Sequence, residues 1–139
     1  MKRSTPITTV MTTDVTTVHT GQPLSAVATI LRTNEFRHIP VVDGGRPVGV
    51  ISATDMFKLL YDYDGTDPRM ASAILDHEHT IEGTMTTSLA TLPESATVHD
   101  AAEMLSSGEF SSVLIVDDNG DLAGLATTID LIRFLRDQL

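Results

Sequence analysis

The 139-residue chain carries nine Lys and Arg against nineteen Asp and Glu, a formal charge of −10, with 41% hydrophobic residues. Such a composition fills a core and excludes a disordered tail, while the acidic balance excludes non-specific binding to nucleic acid or anionic lipid unless a local basic patch supplies it. With no cysteine, disulfides, thiolate nucleophiles and thiolate metal sites are excluded too, which suits a reducing compartment.

Met1-Lys2-Arg3-Ser4 has the charge of a signal peptide, but Thr5, Pro6, Thr8 and Thr9 follow where an apolar run is needed. No stretch approaches the roughly 20 apolar residues that span a bilayer. The expected location is cytoplasmic, with neither membrane nor nucleic acid as a partner.

The chain is written twice. Val10-Met11-Thr12-Thr13 returns as Thr84-Met85-Thr86-Thr87, and Asn34-Glu35-Phe36 as Gly108-Glu109-Phe110. Ile39-Pro40-Val41-Val42-Asp43 returns as Val113-Leu114-Ile115-Val116-Asp117, and Gly49-Val50-Ile51-Ser52-Ala53-Thr54-Asp55 as Gly124-Leu125-Ala126-Thr127-Thr128-Ile129-Asp130. A repeat of this kind is read before any single motif.

In chain order, Leu24, Val27, Ala28 and Leu31 form the apolar stripe of a first helix, matched by Val98, Ala101, Ala102 and Leu105. Pro23 suits the first turn of one helix, and Thr97 with Asp100 opens the other. Two β-branched runs follow, Ile39–Asp43 and Val48–Ile51, joined by Gly44-Gly45-Arg46-Pro47; in the second half the connector is Asp118-Asn119-Gly120-Asp121. A second helix buries Met56, Leu59 and Leu60, matched by Leu131, Phe134 and Leu135. The unit is strand, helix, strand, strand, helix, an α+β fold, with residues 7–62 as repeat one, 63–80 as a connector in which Arg69–Leu75 could form a short helix, and 81–139 as repeat two.

The most specific motif is Gly-x-x-Ser/Thr-x-x-Asp at the strand-to-helix junction of both halves. A helix N-terminus favours an anion; Ser52 or Thr127 can add a hydroxyl, and Asp55 or Asp130 can accept from two ribose hydroxyls. The competing reading is structural: Asp caps the helix and Ser or Thr closes the turn. Arg37-His38, ahead of Ile39, could neutralise a phosphate, or be a solvated charge beside a packed polar residue. Repeat two has Ser111-Ser112 there, so the first half is expected to favour phosphate charge and the second to tolerate uncharged groups.

These repeated motifs resemble the CBS (cystathionine β-synthase) domain, and the tandem resembles a CBS pair, or Bateman module, over nearly the whole chain. The resemblance implies two βαββα units packed as a pseudo-twofold pair, with clefts for adenosyl ligands: AMP, ADP, ATP, NAD or S-adenosylmethionine. It places Asp55 and Asp130 on ribose hydroxyls, Ser52 and Thr127 on phosphate or ribose oxygens, and Thr54 and Ile129 in the pocket linings. Val15, Thr17, Leu89 and Thr91 would flank the base with Ile39, Pro40 and Val113, while Arg37 and His38 face phosphates. Repeat two departs from the pattern, with Ser111, Ser112 and Leu114 in place of Arg, His and Pro.

The resemblance implies a stand-alone regulatory module, homodimeric, acting on a separate protein partner and requiring no cofactor, although a polyphosphate ligand could carry Mg²⁺. The alternative is a ligand-independent dimerisation or scaffold module. Enzyme motifs are missing: no phosphate-binding Gly-x-x-x-x-Gly-Lys-Ser/Thr loop, no Gly-x-Gly-x-x-Gly, no His-Glu-x-x-His and no Gly-x-Ser-x-Gly. No enzymatic activity is therefore expected. Asp76-His77-Glu78-His79 offers metal-type ligands, but neighbours two apart do not share a helix face, and the stretch reads as a solvated acidic connector.

Overall fold

The computed structural model describes residues 3–139; Met1 and Lys2, the start of the segment weighed against an export signal, lie outside the described residues. The fold is α+β, with one three-stranded sheet in each half, ordered β1-β2-β3 and β4-β5-β6. In the first half β1 (Val18–His19) leads through α1 (Leu24–Thr33) to β2 (His38–Asp43), then β3 (Arg46–Ser52) and α2 (Ala53–Tyr61). After α3 (Pro68–Glu78) and α4 (Ile81–Thr84) the order recurs as β4 (Thr91–Pro93), α5 (Val98–Ser106), β5 (Ser112–Val116), β6 (Leu122–Thr127) and α6 (Thr128–Gln138).

A parallel pair needs a crossover between its strands, and α1 and α5 supply it. Val18 lies opposite Val41 in the parallel β1–β2 pair, and Thr91 opposite Leu114 in β4–β5. The β2–β3 turn is shorter than the four residues expected from sequence: Gly44 and Gly45, at φ of 57° and 87°, turn the chain alone, and Arg46 and Pro47 already belong to the strand. Two successive positive φ angles define the hairpin turn that matches strand twist, so glycine is needed at both places.

Each half has its own core. Leu24, Val27, Ile39, Val41, Ile51 and Met56 fill the first, together with Leu75 of α3 and Ile81 of α4. Ile7, Ala101, Leu105, Val113, Ile115 and Ala126 fill the second. Two expectations are corrected in the second half. Ala102 is exposed, and Met104 packs on the core in its stead. α6 has no fully buried residue: Leu131 packs on the core, but Leu135 is 43% exposed. The second core is rich in alanine, including Ala90, Ala96, Ala101 and Ala126, and so covers a narrower face of its last helix.

The expected connector is more than a linker. Pro23 precedes α1 without a side-chain cap, and Asp76 of α3 takes over that work, accepting from Ser25 N at 2.8 Å and from Ser25 Oγ at 2.7 Å. An acceptor from another helix thereby satisfies a first-turn N–H that proline cannot.

By compactness the chain forms two units, and each takes its leading segment from the other half of the sequence. One gathers the residues up to Val15, Gly45–Pro47 and Ser88–Leu139; the other gathers Thr16–Gly44 and Val48–Thr87. In the first, Ile7 N donates to Ala96 O at 2.9 Å and Thr12 bridges to Leu125 of β6. In the second, Thr86 bridges to Val50 of β3. The duplicated Met and Gly meet at these bridges: Met11 lies over Gly124, where a Cβ would fall 2.6 Å from its Sδ and 3.0 Å from Thr12 O, and Met85 lies over Gly49 in the same way.

Gly124→Ala is therefore expected to lower stability by about 1–3 kcal/mol, the usual cost of forcing a methyl group into a packed contact, as read by urea unfolding. A loss under about 0.5 kcal/mol, the ordinary range of a surface substitution, would show that Met11 does not hold its segment against that glycine.

Candidate functional site

Each half assembles its two motifs by one backbone bond. Ala53 N, at the first position of α2, donates to Arg37 O at 2.8 Å, and Thr128 N, at the first position of α6, donates to Ser111 O at 3.1 Å. This fixes the residues that open β2 or β5 beside the Ser/Thr-x-x-Asp turn, although sequence separates them by some fifteen positions. The first half thus holds Arg37 and His38 near Ser52, Thr54 and Asp55. The second holds Ser111 and Ser112 near Thr127, Ile129 and Asp130.

Within each turn the hydroxyl and the carboxylate are already bonded to backbone. Asp55 N donates to Ser52 Oγ at 3.1 Å, and Ser52 N donates to Asp55 Oδ2 at 3.2 Å. In the second half Asp130 N donates to Thr127 Oγ1 at 3.2 Å, and Thr127 N donates to Asp130 Oδ2 at 2.9 Å. These are capping boxes, so the structural reading of the motif holds in both halves. It does not use up the groups: each hydroxyl accepts in the box and keeps its own proton to donate, and a carboxylate with one oxygen engaged has further acceptor capacity.

A third box occurs outside the motif, at the start of α5. Asp100 N donates to Thr97 Oγ1 at 3.1 Å and Thr97 N donates to Asp100 Oδ2 at 2.9 Å. The backbone and side-chain bonds from Thr97, with His99 adding a smaller Coulombic pull, hold the Asp100 carboxyl below the ordinary aspartate range.

The other sequence-chosen residues are distributed unevenly. Arg37, Thr17, Thr54, Thr91, Ser111 and Ile129 are exposed, whereas Val15, His38, Ser52, Asp55, Leu89, Ser112, Thr127 and Asp130 are half-buried. Ile39 and Val113 are fully buried members of the two cores and Pro40 is buried beside Ile39, so none of these three presents a surface to a base. Val15 and Thr17 lie just before β1 and fall in different compact units. Beside Arg37 the first half also carries an open hollow of about 520 Å³, lined by Leu31, Phe36, Ala53 and Phe57 with Glu35 and Arg37. Sequence reading misses it because Phe36 and Phe57 come together only when α1 and α2 fold side by side. Among the described residues no three acidic, His or Cys groups converge as a metal site, and no helix is long and apolar enough to cross a membrane.

This duplicated architecture has known counterparts. The CBS domain family model matches residues 7–62 and again 80–137, and the chain belongs to that family. It is 28% identical over 125 residues to protein MJ1225 of Methanocaldococcus jannaschii, covering 89% of this chain and 45% of that one. It is 30% identical over 118 residues to the L-aspartate semialdehyde sulfurtransferase of the same organism, covering 84% of this chain and 20% of the enzyme. The chain therefore spans less than half the length of these relatives. Among solved structures it resembles MJ1225 (TM-score 0.79, 27% identity, 97% of this chain and 49% of that one). It also resembles the CBS domain pair of protein MJ0100 in complex with 5′-methylthioadenosine and S-adenosyl-L-methionine (TM-score 0.76, 27% identity, 94% of this chain and 99% of that one).

The Asp100 cap gives a pH test. Because the folded carboxyl titrates below its unfolded value, its contribution is complete above the ordinary aspartate pKa of about 3.9 and fades as pH falls through the lower folded value. Asp100→Asn should flatten the acid limb of a melting-temperature curve between about pH 5 and 2 and leave the neutral limb parallel to wild type. An unchanged acid limb would contradict the assignment.

Proposed function

We propose that the chain is a regulatory module that binds adenosyl ligands at the two Ser/Thr-x-x-Asp turns and transmits occupancy to a separate protein partner. The observation that carries this reading is the pairing of each turn with a specific strand-opening dipeptide by a backbone bond, in a chain whose 27%-identical structural relative is a CBS pair in complex with two adenosyl compounds. Neither of those compounds contains phosphate. Asp55 and Asp130 would accept from ribose hydroxyls with the oxygen that the box leaves available, while Ser52 and Thr127 donate with the proton their hydroxyls keep. Arg37 and His38 bias the first site toward AMP, ADP, ATP or NAD; Ser111 and Ser112 suit a ligand without phosphate at the second. Ligand binding then shifts a conformational population that the partner reads. We place this work in the cytoplasm, in a homodimer whose repeats span 7–62 and 81–139 around the 63–80 connector, and assign it no catalytic step.

A second reading has one observation in its favour: the Thr97–Asp100 box has the same geometry with no ligand motif around it. On that reading all three boxes only cap helices, and the chain is a scaffold.

A thermal-shift panel separates the two. AMP, ATP, NAD, S-adenosylmethionine, 5′-methylthioadenosine and a guanine nucleotide control would be tested on wild type and on Asp55→Asn, Asp130→Asn and Asp100→Asn. Ligand at about 100 times its Kd adds about 2.7 kcal/mol to the folded state. Adenosyl compounds should raise Tm, with roughly tenfold or greater loss of affinity in Asp55→Asn or Asp130→Asn and none in Asp100→Asn. No rise with any compound would establish the scaffold reading instead.

A further inference from the structure

Both halves leave the same side of their last helix uncovered. On α2, Phe57 is 55% and Tyr61 79% exposed; on α6, Ile132 is 55% and Leu135 43% exposed. Phe57 and Ile132 are equivalent positions of the duplication, so the two halves share this exposure as they share their motifs. The surfaces differ in form. Around Phe57 the surface is concave, the 520 Å³ hollow walled by Leu31, Phe36 and Phe57. On α6 the stripe runs along a helix flank and projects two aliphatic side chains, Ile132 and Leu135, beside Arg133 and Arg136. Ile129, also exposed, belongs to the proposed ligand turn and lies outside the stripe.

We infer that the α6 stripe of one copy docks in the Phe36–Phe57 hollow of a second copy, so that repeat two of each chain meets repeat one of the other. Convex aliphatic side chains fit a concave aromatic wall, whereas stripe against stripe would leave the hollow empty and hollow against hollow would enclose a void; packed interfaces tolerate neither. Charge favours the same choice. Two copies at −10 each repel, and the contact must bring cations to acids locally. Arg133 and Arg136 flank the stripe, while Glu35 lines the hollow and Asp62 caps the end of α2. In the reverse sense Arg37 and Lys58 on the hollow side find Asp130 and Asp137 on α6, where Asp137 already sits 3.0 Å from its exposed neighbour Arg136. Stripe against stripe would instead crowd Arg133 and Arg136 against their own copies. A two-fold pair makes the crossed contact twice, each chain giving a stripe and receiving one. This names the surface for the homodimer of the proposed function and does not depend on its ligands.

Complementation tests the crossed pairing. Phe57→Glu removes the hollow of a chain and leaves its stripe; Ile132→Glu removes the stripe and leaves the hollow. Both positions are solvent-exposed in the single chain, and circular dichroism with thermal melting verifies that each variant is folded. By sedimentation at tens of micromolar, wild type should be dimeric and each variant alone monomeric, with an equimolar mixture regaining dimer because one intact stripe still finds one intact hollow. A mixture that stays monomeric, while wild type is dimeric and each variant is not, would overturn crossed pairing in favour of like with like. A monomeric wild type would overturn the dimer itself, and dimeric variants would move the interface elsewhere; either defeats the inference, and only the first also removes the homodimer from the proposed function.

Discussion

Everything proposed for this molecule depends on one small hydrogen-bonded constraint, the reciprocal bond between a Ser or Thr and an Asp three residues on, where a strand ends and a helix begins. In each half that box sets the first turn of the last helix. The helix's first N–H then reaches back to the residue that opens the middle strand. A junction made rigid in this way can present a hydroxyl, a carboxylate and a strand-opening side chain in fixed relation. It is structure first, and its ligand capacity is what the structural bonds leave unused.

The second constraint is the meeting of methionine and glycine. Gly49 and Gly124 read as parts of the ligand motif in sequence, and Met11 and Met85 as parts of a separate leading motif. Their duplication has a packing explanation: each methionine lies on the glycine of the other half's motif, where any side chain would occupy the same space. The leading segments thereby become parts of units to which they are not adjacent in sequence.

Much of this is legible from residues alone. The order of elements, the apolar faces of α1 and α2, and the boxes at Thr97, Ser52 and Thr127 follow from periodicity and from spacing of three, both local properties. What escapes depends on distant partners. Asp76 reads as a solvated acid because nothing in its own neighbourhood shows that it caps α1 fifty residues away; Pro23, lacking a hydroxyl to cap the helix itself, is the available sign. Resemblance selects Ile39, Pro40 and Val113 as base-flanking residues, and burial places them in or beside the cores. Leu135 falls on an expected buried face because periodicity reports that a side is apolar, not that anything covers it.

The central claim, that the two motif boxes hold adenosyl ligand while the third is only a cap, is tested most directly by amide chemical-shift mapping on the ¹⁵N-labelled chain with S-adenosylmethionine or AMP. The account predicts saturable shifts at the amides of Ser52 and Asp55, of Thr127 and Asp130, or of both pairs, with Thr97 and Asp100 unmoved. Shifts absent from both motif pairs, or equally large at Thr97 and Asp100, would contradict it.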